Sequence, residues 1–262
     1  MDLSKTLDSG ISRNSGDPSM TSCAVVIPIY KRQPNADEIF SINKSLSNLA
    51  GHDVYWVAPA SMDITYYQKM FGVQRVERFE DNYFENIVGY NRLLVSVRYY
   101  ERFSNYEFML ICQPDAVVLK SELHLWIDKP YDYIGAPWPS GYSYTIQTKH
   151  IPIDGGVSCT AFVGNGGLSL RRIKACIGLI NEFDDVSANW HTHGHSEDLF
   201  FAFLGTLSLD FLIPNIMTAA TFSHDIAPAY LQKLTKNQLP FGAHAWEKYE
   251  RTLWEGLPDW YC

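Results

Sequence analysis

The sequence has few cysteines, no excess of basic residues and no long apolar run, and each shortage excludes a class of protein. Its five cysteines are scattered and form no CxxC pair, which argues against a disulfide framework and a zinc–thiolate site and indicates a reducing compartment. The formal net charge of −8 disfavours nucleic acid as a partner. No stretch approaches the roughly 18 apolar residues that a membrane span needs.

The first 22 residues of the chain differ in composition from the rest. Residues 1–22 are rich in Ser, Asp, Gly and Asn, and we interpret them as a flexible tail without a signal-peptide core. Residues 23–262 contain no repeat or linker, and a chain that is 46% hydrophobic can bury a sizeable core. The sequence therefore predicts one domain in the cytoplasm, with peripheral attachment to a membrane left open.

Buried-strand patterns alternate with helical periodicity along the chain. Strands are predicted at 23–30, 52–59, 73–79, 107–119, 132–138 and 161–172, and helices at 35–49, 61–72, 86–103, 172–183 and 196–207. Residues 139–160 are predicted to be a loop or a hairpin insertion, and the chain from 213 onward to be rich in loops. This order predicts an α/β fold with a mostly parallel sheet flanked by helices.

An acid interrupts the apolar run "FMLICQPDAVVL", residues 108–119. Asp115 follows a strand that reads as fully buried, and ligand chemistry in parallel sheets collects at the carboxyl ends of strands. A lone Asp there suits Mg²⁺ or Mn²⁺ that also binds phosphate oxygens. An Asp that caps a turn after Pro114 is an equally good explanation at this stage.

Three further motifs are candidates for chemistry. Gly166 and Gly167 in "VGNGGLSLRR" would let the backbone approach a ligand, although a simple bulge has the same pattern. Glu197 and Asp198 open a predicted helix, where one carboxylate could act as a general base or both could simply complement the helix dipole. His244 is a candidate metal ligand or an ordinary structural histidine.

Three alternating histidines, His191, His193 and His195, invite a zinc interpretation. On a strand they would share one face. The HExxH spacing is missing and no cysteine lies near, so the sequence disfavours a structural zinc site.

The order of these motifs resembles the GT-A superfamily of glycosyltransferases. The strand "AVVIPIY", then "YNRLL", "QPDA", "GNGGLSLR", "SED" and a late histidine follow one another as they do in bacterial and viral GT-A-like sequences. The likeness covers nearly the whole chain after the tail, and a fainter one runs to the β-1,4-galactosyltransferases. The expected fold is therefore a GT-A-like, Rossmann-like single domain over residues 23–262.

The resemblance implies roles for the acids and the histidine. Asp115 matches the last acid of the Asp-x-Asp motif and His244 the late metal-binding histidine, so both are expected to ligate Mn²⁺ or Mg²⁺. Gln113 stands where the first acid is expected, a departure that weakens the metal site. Asp198 matches the catalytic base of inverting members, and Glu197 is expected to hold the acceptor.

The resemblance also implies a donor site. Pro28, Ile29 and Tyr30 match the turn that frames the nucleotide base, and Arg92 matches an arginine that pairs with the diphosphate. Gln113, Asp115, Gly166 and Gly167 complete the donor site. Trp138 is expected to face an acceptor sugar, although a core aromatic is about as good an interpretation.

Together these features predict a metal-assisted, inverting glycosyltransferase. The expected donor is a nucleotide sugar, with UDP favoured, and the expected acceptor is a saccharide or a glycolipid. Two alternatives stay open: a nucleotidyltransferase acting on a sugar phosphate, and a GT-A-like module that binds nucleotide sugars without catalysis, which Gln113 favours.

Overall fold

The computed structural model describes residues 22–257 and residue 260. The predicted tail, apart from Ser22, lies outside these residues. Among the described residues, no helix combines the length and the apolar character that crossing a bilayer requires.

The strands in the described part of the chain form two sheets. The strands are β1 (Cys23–Pro28), β2 (Asp53–Pro59), β3 (Arg75–Phe79), β4 (Phe108–Cys112), β5 (Ala116–Val118), β6 (Tyr133–Ile146), β7 (Val157–Arg172), β8 (Ser223–His224) and β9 (Gly242–His244). Six of these described strands make a sheet in the order β3-β2-β1-β4-β7-β6, and three make a smaller sheet in the order β5-β9-β8. In the larger sheet β3, β2, β1 and β4 run parallel, whereas β7 is antiparallel to both β4 and β6.

Helices cover both faces of the larger sheet. The helices are α1 (Ala36–Asn48), α2 (Thr65–Phe71), α3 (Ile87–Leu94), α4 (Val97–Glu101), α5 (Leu123–Ile127), α6 (Ile173–Glu182), α7 (Asp184–His193), α8 (Glu197–Leu207), α9 (Ile216–Phe222), α10 (Pro228–Leu234) and α11 (Arg251–Glu255). Strand β1 shows why: all six residues are buried, and Val26 packs into one core cluster while Val25 packs into the other. A strand that is apolar on both sides needs a helical layer on each.

The predicted α/β fold with its mostly parallel sheet is confirmed, and the differences are local. The predicted helix 86–103 is two helices, because Ser96 leaves the helical conformation and caps α4 through the N–H of Tyr99. The predicted loop or hairpin at 139–160 is a hairpin that extends β6 and β7. The region after 213, predicted to be rich in loops, contains α9, β8, α10, β9 and α11.

The alternating histidines do not lie on a strand, which is the arrangement that would have put all three on one face. His191 and His193 end helix α7, Gly194 adopts a left-handed conformation, and His195 follows. The rings of His193 and His195 stack with their centroids 5.8 Å apart.

The predicted strand 107–119 divides between the two sheets. Strand β4 ends at Cys112, residues 113–115 form a turn, and β5 joins the smaller sheet. Pairing of β5 with β9 sets Ala116 opposite His244. Because β8 pairs with β9 in turn, Asp225, which follows β8, also comes close to His244.

Candidate active site

A cleft of about 500 Å³ lies at the carboxyl ends of β1 and β4. Its wall combines the end of β1, the first turns of α1 and α3, the turn after β4, and the end of β9. The lining includes Pro28, Tyr30, Lys31, Glu38, Asn86, Tyr90, Gln113, Asp115, His244, Glu247 and Lys248. This is the edge of an open α/β sheet at which ligands usually bind.

Asp115 lies in this cleft between two cationic side chains. Its Oδ1 is 3.4 Å from His244 Nε2, and its Oδ2 accepts a hydrogen bond of 2.9 Å from Lys248 Nζ. Burial opposes the charge of Asp115, but hydrogen bonds and charge from His244 and Lys248 outweigh it and lower the pKa of the carboxyl well below its usual range. Asp115 is therefore ionised at neutral pH, and the partners of its carboxylate oxygens are His244 and Lys248.

His244 is held between two carboxylates. Its Nδ1 is 3.7 Å from Asp225 Oδ1, which is an ion-pair distance but too long for a hydrogen bond. Asp225 is 5% exposed, and its other oxygen accepts a hydrogen bond of 2.5 Å from Asn165 Nδ2. Burial lowers the pKa of His244, yet Asp115 and Asp225 together raise it to about 10. The surroundings of this imidazole thus favour a positive charge.

Gly166 and Gly167 separate two groups of functional side chains. A Cβ at Gly167 would collide with the imidazole of His244, and a Cβ at Gly166 would collide with Glu197 Oε1. Neighbouring residues of a strand point to opposite sides. The two glycines are therefore required because the backbone of β7 is in close contact with His244 on one side and with the start of α8 on the other.

Glu197 forms a buried ion pair with Arg171. Two hydrogen bonds of 3.0 Å join the guanidinium to both carboxylate oxygens, and the two residues are 4% and 0% exposed. The guanidinium also donates to Tyr100 Oη at 3.0 Å and lies over the ring of Tyr133. With both oxygens engaged, Glu197 is positioned to fix the start of α8, and this geometry favours that role over direct contact with an acceptor.

Asp198, the next residue, is in a different environment. It is half-buried, and its Oδ1 accepts the N–H of Leu199 at 2.8 Å. Burial and the charge of Glu197 raise its pKa to about 7, although the N–H groups of Leu199 and Gly166 and the charge of Arg171 act against the rise. A carboxyl group that titrates near neutral pH can both accept and return a proton.

Ile29, Arg92 and Trp138 lie elsewhere or face away, and Gly166, Gly167, Glu197 and Asp198 are not among the residues that line the cleft. Ile29 is 1% exposed and belongs to the core, while its neighbours Pro28 and Tyr30 line the cleft. Arg92 is not among the lining residues; it is exposed and donates from Nε to the carbonyl of His191 at 3.0 Å. Trp138 is 4% exposed and packs edge-to-face on Tyr142. The core interpretation of Trp138 therefore holds, and the sugar-facing one does not.

Four residues of functional interest were not predicted from the sequence: Asn165, Arg171, Asp225 and Lys248. Asn165 and Arg171 belong to the quoted motif "VGNGGLSLRR", and an arginine inside an otherwise apolar strand is a signal that a buried partner exists. Asp225 and Lys248 come from the C-terminal region and had no pattern to mark them. Only the pairing of β5, β9 and β8 brings them to Asp115 and His244.

Whether a divalent cation fits this cleft depends on three side chains with different donor atoms: an amide oxygen, a carboxylate oxygen and an imidazole nitrogen. No group of three or more His, Cys, Asp and Glu side chains within the described part of the chain could hold a metal ion. However, Gln113 Oε1 and Asp115 Oδ1 lie 3.2 and 3.4 Å from His244 Nε2. Ligands on adjacent positions of one octahedral ion are about 3 Å apart for bonds of about 2.1 Å. These three residues would hold Mn²⁺ or Mg²⁺ only if His244 loses the proton that Asp115 and Asp225 favour and if phosphate oxygens complete the coordination.

Comparison with known proteins supports the fold. Residues 74–244 match the sequence model of the family described as "Protein of unknown function (DUF5672)". No curated protein matches the sequence. An active-site mutant of LgtC superimposes with a TM-score of 0.50 and 14% identity, over 84% of this chain and 86% of that one. At this identity the match shows a common fold, which is GT-A-like, and nothing about activity.

Two further structures are similar at lower scores. Core-mannan synthase A (CmsA/Ktr4) from Aspergillus fumigatus, in a Mn/GDP form, gives a TM-score of 0.49 and 10% identity over 72% of each chain. A glycosyltransferase involved in glycosylation of the major capsid of PBCV-1 gives 0.45 and 13% over 85% of this chain and 92% of that one.

Proposed function

The chain belongs to the family described as "Protein of unknown function (DUF5672)", and we propose that it is an inverting glycosyltransferase that uses a nucleotide sugar. One observation carries the proposal. Strand β7 separates a cluster suited to a diphosphate, formed by Gln113, Asp115 and His244, from Asp198, whose pKa is about 7. Gly167 packs against His244, and Gly166 packs against Glu197, the residue before Asp198. We infer that a sugar bound at these glycines would have the diphosphate on one side and the base on the other.

The donor is proposed to bind in the cleft, with UDP as the favoured nucleotide. Pro28 and Tyr30 would border the base, and Tyr30 is 60% exposed and free to pack on it. Lys248 and His244 bring positive charge to the place where the diphosphate would lie. A divalent cation held by Gln113, Asp115 and the neutral form of His244 would replace the charge of the imidazolium and stabilise the phosphate charge in its stead. Arg92 has no part in this scheme, because it does not line the cleft.

The residues of the chain account for the transfer step. The hydroxyl oxygen of the acceptor attacks the anomeric carbon as the bond from that carbon to the diphosphate oxygen breaks. The carboxylate of Asp198 takes the hydroxyl proton, and the diphosphate leaves with the bonding electrons. His244 and Lys248 offset the growing negative charge of the leaving group. Glu197, fixed by Arg171, keeps Asp198 at the right place and helps to raise its pKa.

Binding and turnover with a panel of nucleotide sugars, each with Mn²⁺ or Mg²⁺, test the proposal. Calorimetry should detect UDP binding that weakens in Asp115→Asn and His244→Ala but not in the matched surface variant Asp154→Asn. UDP release should follow with at least one donor. Failure of every nucleotide sugar to bind at millimolar concentration would refute the proposal. Binding without turnover, unchanged by Asp198→Asn, would favour the non-catalytic module instead.

The acceptor is proposed to be a saccharide or a glycolipid, and the protein is proposed to act in the cytoplasm or at its membrane surface.

A further inference from the structure

A small pocket of about 170 Å³ lies between the hairpin of β6 and β7 and helix α7. We call it the aromatic pocket and define it by Tyr144, Gln147, Asn189, Trp190 and His195. It shares no lining residue with the candidate active-site cleft. At about 30 Å³ for each water molecule, the space corresponds to about six waters, which is close to the bulk of one sugar ring.

Aromatic rings give the aromatic pocket a rigid apolar surface. The ring of Tyr144 lies nearly parallel to that of Phe203 in α8, with the centroids 6.1 Å apart, and it meets the ring of Trp190 edge-to-face at 5.8 Å. Trp190 is 4% exposed, whereas Tyr144 is 42% exposed. Tyr144 is thus fixed by packing and still offers area to a ligand. The C–H groups of a sugar ring can pack on such an aromatic surface.

The rim of the aromatic pocket carries polar groups that have no partner. Gln147 and Asn189 are exposed, and neither side-chain amide makes a hydrogen bond to another residue within the described part of the chain. Each amide supplies both donors and an acceptor, as sugar hydroxyls require. The lining contains no Lys, Arg, Asp or Glu. These features favour an uncharged polar ligand over a phosphate or a cation.

The aromatic pocket adjoins the start of helix α8. Trp190 Nε1 donates a hydrogen bond of 2.8 Å to the carbonyl of Ser196, the residue that precedes the helix. His195 is three residues before Asp198, so their Cα atoms are at most about 11 Å apart. Asp198 does not itself line the pocket. A sugar in the pocket would therefore lie near the proposed base without being the sugar whose hydroxyl reacts.

We propose that the aromatic pocket binds one sugar residue of a saccharide acceptor, and that this residue differs from the one that is glycosylated. The inference rests on the proposed glycosyltransferase function, since that function supplies the acceptor. It implies an acceptor of at least two sugar residues, because a single sugar cannot occupy the pocket and place its hydroxyl at Asp198. Binding of a residue remote from the reacting atoms lowers KM and leaves kcat unchanged.

Saturation-transfer NMR on the full chain tests the pocket itself, with methyl β-D-glucoside, methyl β-D-galactoside and methyl α-D-mannoside as probes. At least one glycoside should bind at millimolar concentration. Tyr144→Ala should weaken that binding roughly tenfold, and Gln147→Ala roughly threefold or more, because they remove the ring and one amide. Gln147 is exposed and unpaired within the described residues, so its replacement should preserve the fold. Tyr142→Ala is the matched control, because Tyr142 is 44% exposed on the same hairpin but does not line the pocket.

UDP binding by the same samples keeps the two ideas apart. If UDP binds but none of the three glycosides does, the pocket inference is refuted and the proposed function stands. The same holds if Tyr142→Ala weakens glycoside binding as much as Tyr144→Ala does. If a glycoside binds through Tyr144 but no nucleotide sugar binds, the proposed function fails and the acceptor assignment fails with it.

Transfer kinetics test whether the bound sugar belongs to the acceptor. With the saccharide that supports transfer, Tyr144→Ala should raise KM roughly tenfold and leave kcat within about twofold. A fall in kcat at constant KM would place Tyr144 at the reacting atoms. Unchanged KM and kcat would assign the bound sugar to another ligand, and either result would overturn the inference.

Discussion

Replacing Asp198 by Asn tests the proposed base through two opposite effects, one on activity and one on stability. Asn has nearly the same shape but cannot accept the proton, so turnover should fall roughly 10²- to 10⁴-fold. The wild-type rate should rise with pH and level off above about 7, the pKa to which burial and Glu197 bring this carboxyl. The residual rate of Asp198→Asn should lack that dependence.

The stability effect follows from the same pKa. Between the ordinary value of 3.8 and about 7, the folded chain keeps a proton on Asp198 that the unfolded chain has lost. Stability contributed by this group is therefore fully present below pH 3.8 and is lost as pH rises through about 7. A pKa shift of about three units corresponds to about 4 kcal/mol of folding free energy. Because Asp198 is partly exposed, we expect about 2 kcal/mol or less.

Asp198→Asn should consequently be less active but more stable than the wild type at pH 8, with the stability difference vanishing near pH 4. Urea unfolding at both pH values and UDP release across the pH range measure the two effects. Asp154→Asn, at an exposed position, should change neither. A variant that keeps its activity, or that is less stable than the wild type at pH 8, would contradict the reasoning.

Three further predictions concern the surroundings of the site. Gly167→Ala should lower UDP affinity roughly tenfold or more in calorimetry, because the added methyl group displaces the ring of His244. Glu197→Gln should lower the free energy of unfolding by about 3–5 kcal/mol in urea titration, because it leaves the buried charge of Arg171 without its partner. Arg92→Ala should leave UDP affinity unchanged, because this side chain bonds to α7 outside the cleft.

Matched variants and contrary outcomes complete these tests. Gly178→Ala, where an added Cβ meets nothing within 4 Å, should leave UDP affinity intact. Glu80→Gln, in an exposed pair with Arg98, should scarcely change stability. If a control variant changes UDP affinity or stability as much as the variant it is paired with, the physical reason given for that variant is contradicted. A marked loss of UDP affinity in Arg92→Ala would restore the diphosphate role that the family resemblance implies.

Local patterns accounted for most of the fold and for part of the site. The apolar runs of β1 and β4 predicted a sheet buried on both faces. Because Asp115 follows β4, it was predicted to lie at the edge of the sheet where ligands bind. These inferences need only the neighbours along the chain. Helix α7 was missed because alternating histidines fit a strand as well as the end of a helix, and the packing of Trp190 within it decides between them.

The candidate site depends on contacts that no spacing encodes. Gln113 and His244 are 131 positions apart, and only the pairing of β5 with β9 brings them together. By its sequence position, Trp138 fits a sugar-binding residue and a core residue equally well. Its burial and its edge-to-face packing on Tyr142 identify it as a core residue.

The sequence by itself determined the α/β class, the order of the motifs and the residue types available for chemistry, because these depend on periodicity and local composition. Tertiary structure alone decided which of those residues meet and how they ionise. Glu197 and Asp198 are adjacent in sequence, yet Glu197 forms a buried ion pair with Arg171, whereas the pKa of Asp198 is raised to about 7. The physical reason is that burial and charge partners are properties of the folded interior, where strands from distant parts of the chain set both.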